Sequence, residues 1–340
     1  MVTITDVSRH AGVSRSTVSR VVAGNGYVSE EKRRAIERAI AELGYRPNTL
    51  AQALRSNRSN VIGTVVVDVG TTYFANVVYG LQNVTRAAGK ALMISSGFAD
   101  QDQEARAVIE LVDRSCDGIV VYLERPMRED AVEIVRRAGI PIVSIGRNLC
   151  PVSRGTVSLN NFEGARSAMR HLLDQGHRRI VHMSGQADYG DTIARLQGIE
   201  AALAEQDMTT GDIRIVSGNY SQEFGYEATT QLLREGHQFT AVFAGDDDMA
   251  AGVVLALRDG GVRVPEEVSV IGFDDAFHAK HLWPPLTTVR QPTQELGEAA
   301  ATMLLNLIAE PSSGPHETIV EANLVVRSSV GAPAKERQVA

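Results

Sequence analysis

The chain has 340 residues, a net charge of −7 and two cysteines, and this length fits two or three domains. No apolar run approaches the roughly 18 residues that a membrane span needs, and Met1 leads into capping and charged residues rather than a signal peptide. Cys116 and Cys150 lack metal-ligand spacing, so we expect reduced, buried thiols in a cytoplasmic protein that does not associate with membranes.

Residues 3–22 predict two short helices separated by a tight turn. Thr3 can cap the first helix, Gly12 can supply the turn, and Ser14 can cap the second helix. On the second helix, valines at helical spacing are predicted to pack inward. Five side chains then remain near its outer surface: Arg15, Ser16, Thr17, Ser19 and Arg20. Such a helix can reach base edges and phosphates, as in a helix-turn-helix. The alternative is a surface helical hairpin that binds nothing.

A third helix is predicted over Glu30 to Leu43, between the capping residue Ser29 and Gly44. The result is an all-α headpiece over residues 1–46. Residues 1–60 carry ten Lys/Arg and five Asp/Glu, a charge of +5, which leaves −12 for the remainder. A basic head on an acidic body is typical of a protein in which one part meets phosphate.

Residues 47–60 form the link between head and body. Pro47 ends the preceding segment, Asn48 is a plausible cap, and Thr49 to Arg55 can make two helical turns. A helix this short is marginal alone in water. The link is therefore either a flexible linker or a hinge helix that orders only with DNA and a partner hinge.

From residue 61 onward, strands alternate with helices, which predicts open α/β sheets. The β-branched run 61–69 suits a strand covered on both faces, as in a parallel sheet. Strands are predicted at 61–69, 91–95, 118–122, 141–145, 179–183, 213–216, 240–243, 268–273 and 318–327; helices are predicted at 74–88, 102–114, 129–138, 161–175, 193–206, 222–235, 247–259 and 293–309.

The alternation restarts after about residue 160, so we expect two similar doubly wound lobes with a ligand cleft at the carboxyl ends of their strands. The predicted N-terminal lobe is 61–160 with 290–320, and the C-terminal lobe is 161–289 with 321–330. Residues 331–340 read as a disordered tail without leucine heptads, which favours a dimer over a tetramer.

Other classes of protein are less favoured by the motifs. The chain lacks a dinucleotide-binding glycine motif, a P-loop, a zinc-binding helix motif and a nucleophile elbow. We therefore expect no enzyme activity, no cofactor and no metal site. The acidic run Asp246 to Asp248 is interpreted as a helix-capping cluster, since acids favour a helix N-terminus. A secreted solute-binding protein would fit the cleft but not the basic head.

These segments together resemble the lactose/galactose/purine repressor family of bacterial transcription factors, and the body is similar to periplasmic sugar-binding proteins. The resemblance covers nearly the whole chain. It is carried by residues 6–22, 44–48, 50–54, 245–252, 270–275 and 285–292.

The resemblance implies a homodimer on a near-palindromic operator, with one recognition helix in each major groove. By position, Arg15, Ser16 and Arg20 would contact bases, and Ser14 and Thr17 would contact phosphates. Tyr27 lies where the family makes a further DNA contact, Leu54 matches an apolar minor-groove wedge, and Arg55 beside it can enter the groove or hold phosphate. Thr3 and Asn48 complete the predicted DNA-binding set.

By the same analogy, six residues would line a cleft for an effector, most simply a sugar: Tyr73, Phe74, Arg195, Tyr220, Asp246 and Asp274. Some members have a ligand-binding carboxylate at the position of Gly146, whereas this chain has Gly146-Arg147. Arg147 is then predicted to take part of that role, which would favour an anionic or strongly hydroxylated ligand. Whether the effector induces or co-represses stays open.

Overall fold

The computed structural model describes residues 2–22, 26–46, 58–312 and 314–334. The chain separates into two compact units, Met1–Asn60 and Val61–Ala340, called here the head and the body. The hinge prediction and its candidate residues Asn48, Leu54 and Arg55 lie outside the described residues.

The described part of the head contains three helices: α1 (Ile4–His10), α2 (Arg15–Val22) and α3 (Glu30–Leu43). Each helix contributes to one core, because Val7, Val18 and Ile36 are completely buried. Burying such a side chain contributes roughly 1.5–3 kcal/mol. Gly44 ends α3 at φ 61°, in the left-handed conformation that glycine adopts without strain. The predicted three-helix head is confirmed.

The body alternates strands and helices. Its strands are β1 (Val61–Val66), β2 (Ala91–Ser96), β3 (Gly118–Tyr122), β4 (Ile142–Ile145), β5 (Gly155–Leu159), β6 (Ile180–Ser184), β7 (Arg214–Ser217), β8 (Ala241–Ala244), β9 (Ser269–Ile271), β10 (Thr288–Arg290), β11 (His316–Val320) and β12 (Asn323–Val325). Its α-helices are α4 (Thr72–Ala87), α5 (Gln101–Asp113), α6 (Glu129–Ala138), α7 (Asn161–Asp174), α8 (Gly190–Ala204), α9 (Gln222–Arg234), α10 (Asp247–Asp259) and α11 (Thr293–Ala309).

Two parallel sheets organise the body. The sheet of the N-terminal lobe has the order β11-β5-β4-β3-β1-β2, and that of the C-terminal lobe has the order β7-β6-β8-β9. Both are doubly wound, because the chain starts inside the sheet, moves outward once and then reverses. Such sheets bind ligands beyond their carboxyl ends at the reversal point, here between β1 and β3 and between β6 and β8.

The sequence prediction was wrong about the last strand and missed two others. The single strand expected over 318–327 is two strands: β11 pairs with β5 in the N-terminal lobe, while β12 pairs antiparallel with β10. β5 was not predicted because its polar Thr156 and Ser158 interrupt the apolar pattern, and β10 was not predicted because it has only three residues. The chain therefore crosses from one lobe to the other after Val320.

The C-terminal segment is ordered further than expected. The Gly331 carbonyl accepts hydrogen bonds from His177 Nε2 (2.8 Å) and Ser269 Oγ (3.2 Å). The predicted disordered tail therefore does not begin at residue 331, and residues 335–340 lie outside the described part of the chain.

Candidate functional site

The N-terminal end of α2 presents a polar surface to solvent. Arg15, Ser16 and Arg20 are exposed, while Val18 on the opposite side is completely buried. Ser14 Oγ accepts from the Thr17 backbone N–H at 3.2 Å, and it lies 2.8 Å from the hydroxyls of both Ser16 and Thr17. The predicted cap of α2 is confirmed, and it gathers three hydroxyls at the helix N-terminus, next in sequence to the exposed Arg15.

Two further candidates in the head lie away from this cluster in sequence. The Thr3 hydroxyl donates to Asp6 Oδ2 at 2.7 Å, and this bond holds the pKa of the Asp6 carboxyl below its usual value. The Tyr27 ring is 91% exposed. A large aromatic side chain this accessible, on so small a unit, is available for contact with another molecule.

The body contains a cavity of about 400 Å³ at the carboxyl ends of its parallel strands. Six of the seven predicted effector-binding residues line it together: Tyr73, Phe74, Arg195, Tyr220, Asp246 and Asp274. Loops after β1 and β3 supply one wall, and loops after β6, β7, β8 and β9 supply the other.

Arg147, the seventh candidate, does not line this cavity. Gly146 turns the chain at φ 73°, and Asn148 Oδ1 accepts from Ser144 Oγ (3.3 Å) and the Cys150 N–H (3.2 Å). This turn leaves Arg147 exposed beside Gly190 at the start of α8. The prediction that Arg147 favours an anionic ligand therefore has no support from its position.

The N-terminal lobe supplies an aromatic wall. The rings of Tyr73 and Phe74, in the first turn of α4, pack edge to face with their centroids 5.0 Å apart, and Tyr122 at the end of β3 packs against both. Aromatic faces cover the apolar C–H surface of a ligand while hydroxyls at their rims remain available.

Arg195 on α8 is fixed in the opposite wall and is 5% exposed. Its Nε donates to Asn161 Oδ1 at 2.9 Å, and its Nη1 donates to the Gly245 carbonyl at 2.6 Å. Its Nη2 lies 3.9 Å from carboxylate oxygens of both Asp191 and Asp274. The guanidinium therefore joins the ends of several strand loops, and two of its five N–H groups donate to protein oxygens.

Two aspartates beside Arg195 hold protons more strongly than usual. Asp246 caps α10, accepting from the Met249 N–H at 2.7 Å, and burial raises its pKa to about 6. Burial also raises the pKa of Asp274 well above its ordinary value, against the opposing effect of Arg195. The capping interpretation of Asp246 is thus confirmed, and its second oxygen is free to accept from a ligand.

Asp247, which follows the capping residue Asp246, holds neighbouring segments of the body together. It is completely buried, accepts from Thr288 Oγ1 at 2.6 Å and from the Ala276 N–H at 2.7 Å, and has its pKa raised to about 7, chiefly by burial. These bonds tie the loop after β9 to the start of α10. Within the described residues, no cluster of three or more His, Cys, Asp or Glu side chains is arranged to hold a metal ion.

The structure adds cavity residues that the sequence reasoning missed, notably Tyr122, Glu124, Gln186, Asp191 and Gln291. Tyr122 and Glu124 end and follow a predicted strand, so the rule on strand ends could have found them. Gln291 follows the antiparallel strand β10, where no such rule applies. Burial, with Asp191 nearby, raises the pKa of Glu124 to about 8.

Three polar atoms in the cavity wall are buried without a hydrogen-bond partner among the described residues. They are the Tyr73 hydroxyl, Gln186 Oε1 and Gln291 Oε1. A buried polar group without a partner costs free energy. All three belong to residues that line the cavity, so desolvated polar groups are concentrated around it.

No helix in the described part of the chain has the length and apolar character to cross a membrane.

Comparison with known proteins gives matches to two protein families. Residues 3–48 match the family described as bacterial regulatory proteins, lacI family, and residues 169–330 match the periplasmic binding protein-like domain.

Relatives are similar along their full length. The transcriptional regulator GalR of Escherichia coli (strain K12) is 35% identical over 99% of this chain and 98% of its own. The transcriptional repressor PurR of Yersinia enterocolitica is 34% identical, with 97% of each chain covered.

Solved structures of family members are also similar to this chain. The lac repressor dimer bound to operator and the anti-inducer ONPF superposes with a TM-score of 0.87 at 28% identity, covering 97% of this chain and 99% of that one. A complex of the regulator CelR with cellobiose has a TM-score of 0.72 at 32% identity, covering 97% and 100%.

Proposed function

This chain belongs to the lacI family of bacterial regulatory proteins and is a DNA-binding transcriptional regulator with a sensor body; from that premise we propose that it represses transcription under the control of a carbohydrate bound in the body cavity. One observation carries the proposal: α2 displays exposed arginines beside a capped N-terminus, in a chain whose body contains a ligand-sized cavity. It acts as a regulator rather than an enzyme, in the cytoplasm, where bacterial DNA lies.

In the head, we assign base contacts to Arg15, Ser16 and Arg20, because they are exposed on the helix that enters the major groove. An arginine can bind guanine O6 and N7 with two donors. Ser14 and Thr17 sit at the α2 N-terminus, where backbone amides and hydroxyls suit phosphate oxygens.

Further DNA contacts are assigned to Thr3 and to Tyr27, whose ring is almost fully exposed. Within the link of residues 47–60, we also assign DNA contacts to Asn48, Leu54 and Arg55; the family resemblance gives Leu54 the role of a minor-groove wedge and Arg55 that of a groove or phosphate contact.

A homodimer on a near-palindromic operator follows from the similarity to a lac repressor dimer bound to operator. Two heads related by a twofold axis read two half-sites in opposite orientation. The proposed lobe boundaries remain 61–160 with 290–320 and 161–289 with 321–330.

In the body, the proposed effector contacts are Tyr73, Phe74, Arg195, Tyr220, Asp246 and Asp274. Aromatic rings and carboxyl oxygens line the cavity together, a combination that suits a molecule with a C–H face and several hydroxyls. A relative was solved with cellobiose. The effector controls operator affinity only through unequal affinity for two conformations of the body.

The test begins with selection of bound sequences from a random DNA library by the full-length protein. We expect a near-palindromic site that is bound far more tightly than scrambled DNA at the same salt concentration, as direct base reading requires. An Arg15→Ala/Arg20→Ala variant should lose this preference. Equal affinity of the unaltered protein for both DNAs would contradict the proposal.

A further inference from the structure

The cavity wall is rich in carboxyl groups and poor in cations. Six carboxyls line it: Glu124, Asp191, Asp246, Asp248, Asp274 and Asp275. One of them, Asp275, is ion-paired with Arg290 and Arg327. The remaining five face only one lining guanidinium, Arg195, and one imidazole, His278.

Arg195 compensates for this excess only in part, because it shares its charge with groups of the chain itself. Two of its nitrogens donate to protein oxygens, and the third lies between two aspartates. The neighbouring cation Arg125 is ion-paired with Asp188, and Arg147 is exposed and does not line the cavity. Within the described residues, the cavity wall therefore offers an anion no uncommitted Arg or Lys.

Helix N-termini are the usual alternative site for an anion, and several reach this cavity. In three of them the chain itself satisfies one first-turn amide: Phe74 N–H donates to Thr71, Phe224 N–H to Ser221, and Met249 N–H to Asp246. The first turn of α8 has no side-chain cap, but it carries the carboxylate of Asp191, which repels an anion. The chain's own groups therefore make each of these helix ends less suited to a phosphate.

The carboxyl groups of the wall point to the same ligand chemistry. Hydroxyl groups of a ligand can donate to the carboxyl oxygens of Asp246 and Glu124, whereas an ionised phosphate or carboxylate group has no proton to donate.

We infer that the effector is a polyhydroxylated molecule without any anionic group, and that Glu124 is a residue that discriminates against phosphorylated and oxidised sugars. The inference rests on the proposed function and specifies its ligand class. Glu124 follows β3 and Asp191 lies on α8, so both walls of the cavity present a carboxyl group to an anion. Because burial raises the pKa of Glu124 to about 8, its charge acts mainly above that pH.

The experiment titrates full-length protein with neutral sugars and their anionic derivatives in a calorimeter at pH 8.5. Glucose, galactose and cellobiose are compared with glucose 6-phosphate, galactose 6-phosphate and cellobionate, and a panel of neutral pentoses, disaccharides and polyols extends the neutral set. We expect a neutral member to bind and its anionic derivative to bind at least about tenfold more weakly, since like charges placed together are strongly unfavourable. An anionic member that binds as tightly as its neutral form, or no binding by any neutral member, would overturn the inference.

A pair of variants tests the role of Glu124. Glu124→Gln keeps the shape and removes the charge, whereas Glu110→Gln makes the same change on an exposed position of α5 outside the cavity. The ratio of neutral to anionic affinity should fall at least about threefold in Glu124→Gln and stay constant in Glu110→Gln. A purely structural role would weaken both ligands together, so an unchanged ratio in Glu124→Gln would refute the assignment.

Different results would refute the proposed function and the proposed ligand class. Loss of sequence preference on the selected DNA, with neutral sugars still favoured, would refute the regulatory function but not the ligand class. Tight binding of a sugar phosphate, with operator binding intact, would refute the ligand class alone.

Discussion

The head and the body cavity differ in the exposure of their candidate binding residues. In the head, the candidate side chains Arg15, Ser16 and Arg20 are exposed, and a small core lies behind them. In the cavity, Arg195 and Asp246 are buried, and burial raises the pKa of Asp246. One surface meets its ligand in water, while the other replaces the ligand's water with protein groups.

Because of this difference, a substitution affects different properties in the two regions. Contact residues of the head can be removed without loss of packing, so their variants report on binding. Charged residues of the cavity hold loops together, so their variants report on stability as well as binding.

The largest expected effect comes from Arg195→Ala, which leaves Asp191 and Asp274 without their shared cation. Removing one partner from a buried charged network costs about 3–5 kcal/mol, so the free energy of unfolding of the body should fall by that amount in urea titrations. Arg125→Ala is the control, because the Arg125–Asp188 pair is largely exposed and should cost at most about 1 kcal/mol. Equal costs would show that Arg195 is not a structural centre.

Ile36→Ala should destabilise the head without affecting the body, because it truncates a completely buried side chain in the core of the head. Such a truncation costs about 2–5 kcal/mol, much of the stability that so small a unit has. Specific DNA binding should be lost while calorimetric sugar binding is retained. Loss of sugar binding in this variant would mean that the two regions do not fold as separate units.

A smaller and purely local effect is expected from Arg20→Ala. Loss of a base contact costs about 1–3 kcal/mol for the cognate site, whereas binding to scrambled DNA should change little. Arg38→Ala, on the exposed face of α3, is the control for lost positive charge. A parallel loss on both DNAs would assign Arg20 to phosphate rather than to bases.

The smallest effect concerns pH and should appear in the body only. Burial raises the folded-state pKa of Glu124 to about 8, above its value in the unfolded chain, so ionising Glu124 is harder in the folded body. Its stabilising contribution is complete at low pH and is lost as the pH rises through 8. The free energy of unfolding should therefore fall by about 2 kcal/mol between pH 6 and pH 9.

In Glu124→Gln this pH dependence should become weaker by the share of Glu124, while the buried Asp247, whose pKa is about 7, keeps part of it. Ile36 and the rest of the head core contain no such group, so unfolding of the head should not follow the same curve. A flat profile for the unaltered body would contradict the burial of Glu124.

The sequence predicted the parts of the molecule that local rules govern. Ser14 and Gly44 mark the ends of head helices because capping depends on neighbouring residues. The cavity residue Asp246 was found because it follows a predicted strand. Gln291 and the division of 318–327 into β11 and β12 depend on strand pairing between distant segments, which local patterns do not contain.

The account's central claim is that ligand in the body controls DNA binding by the head. The most direct test measures affinity for the selected operator at fixed salt, with and without a saturating concentration of the neutral sugar identified by calorimetry. We predict a change of at least about fivefold, within the range of typical allosteric coupling, and no change in an Asp246→Asn variant that has lost sugar binding. Identical operator affinity with and without bound sugar would contradict the account.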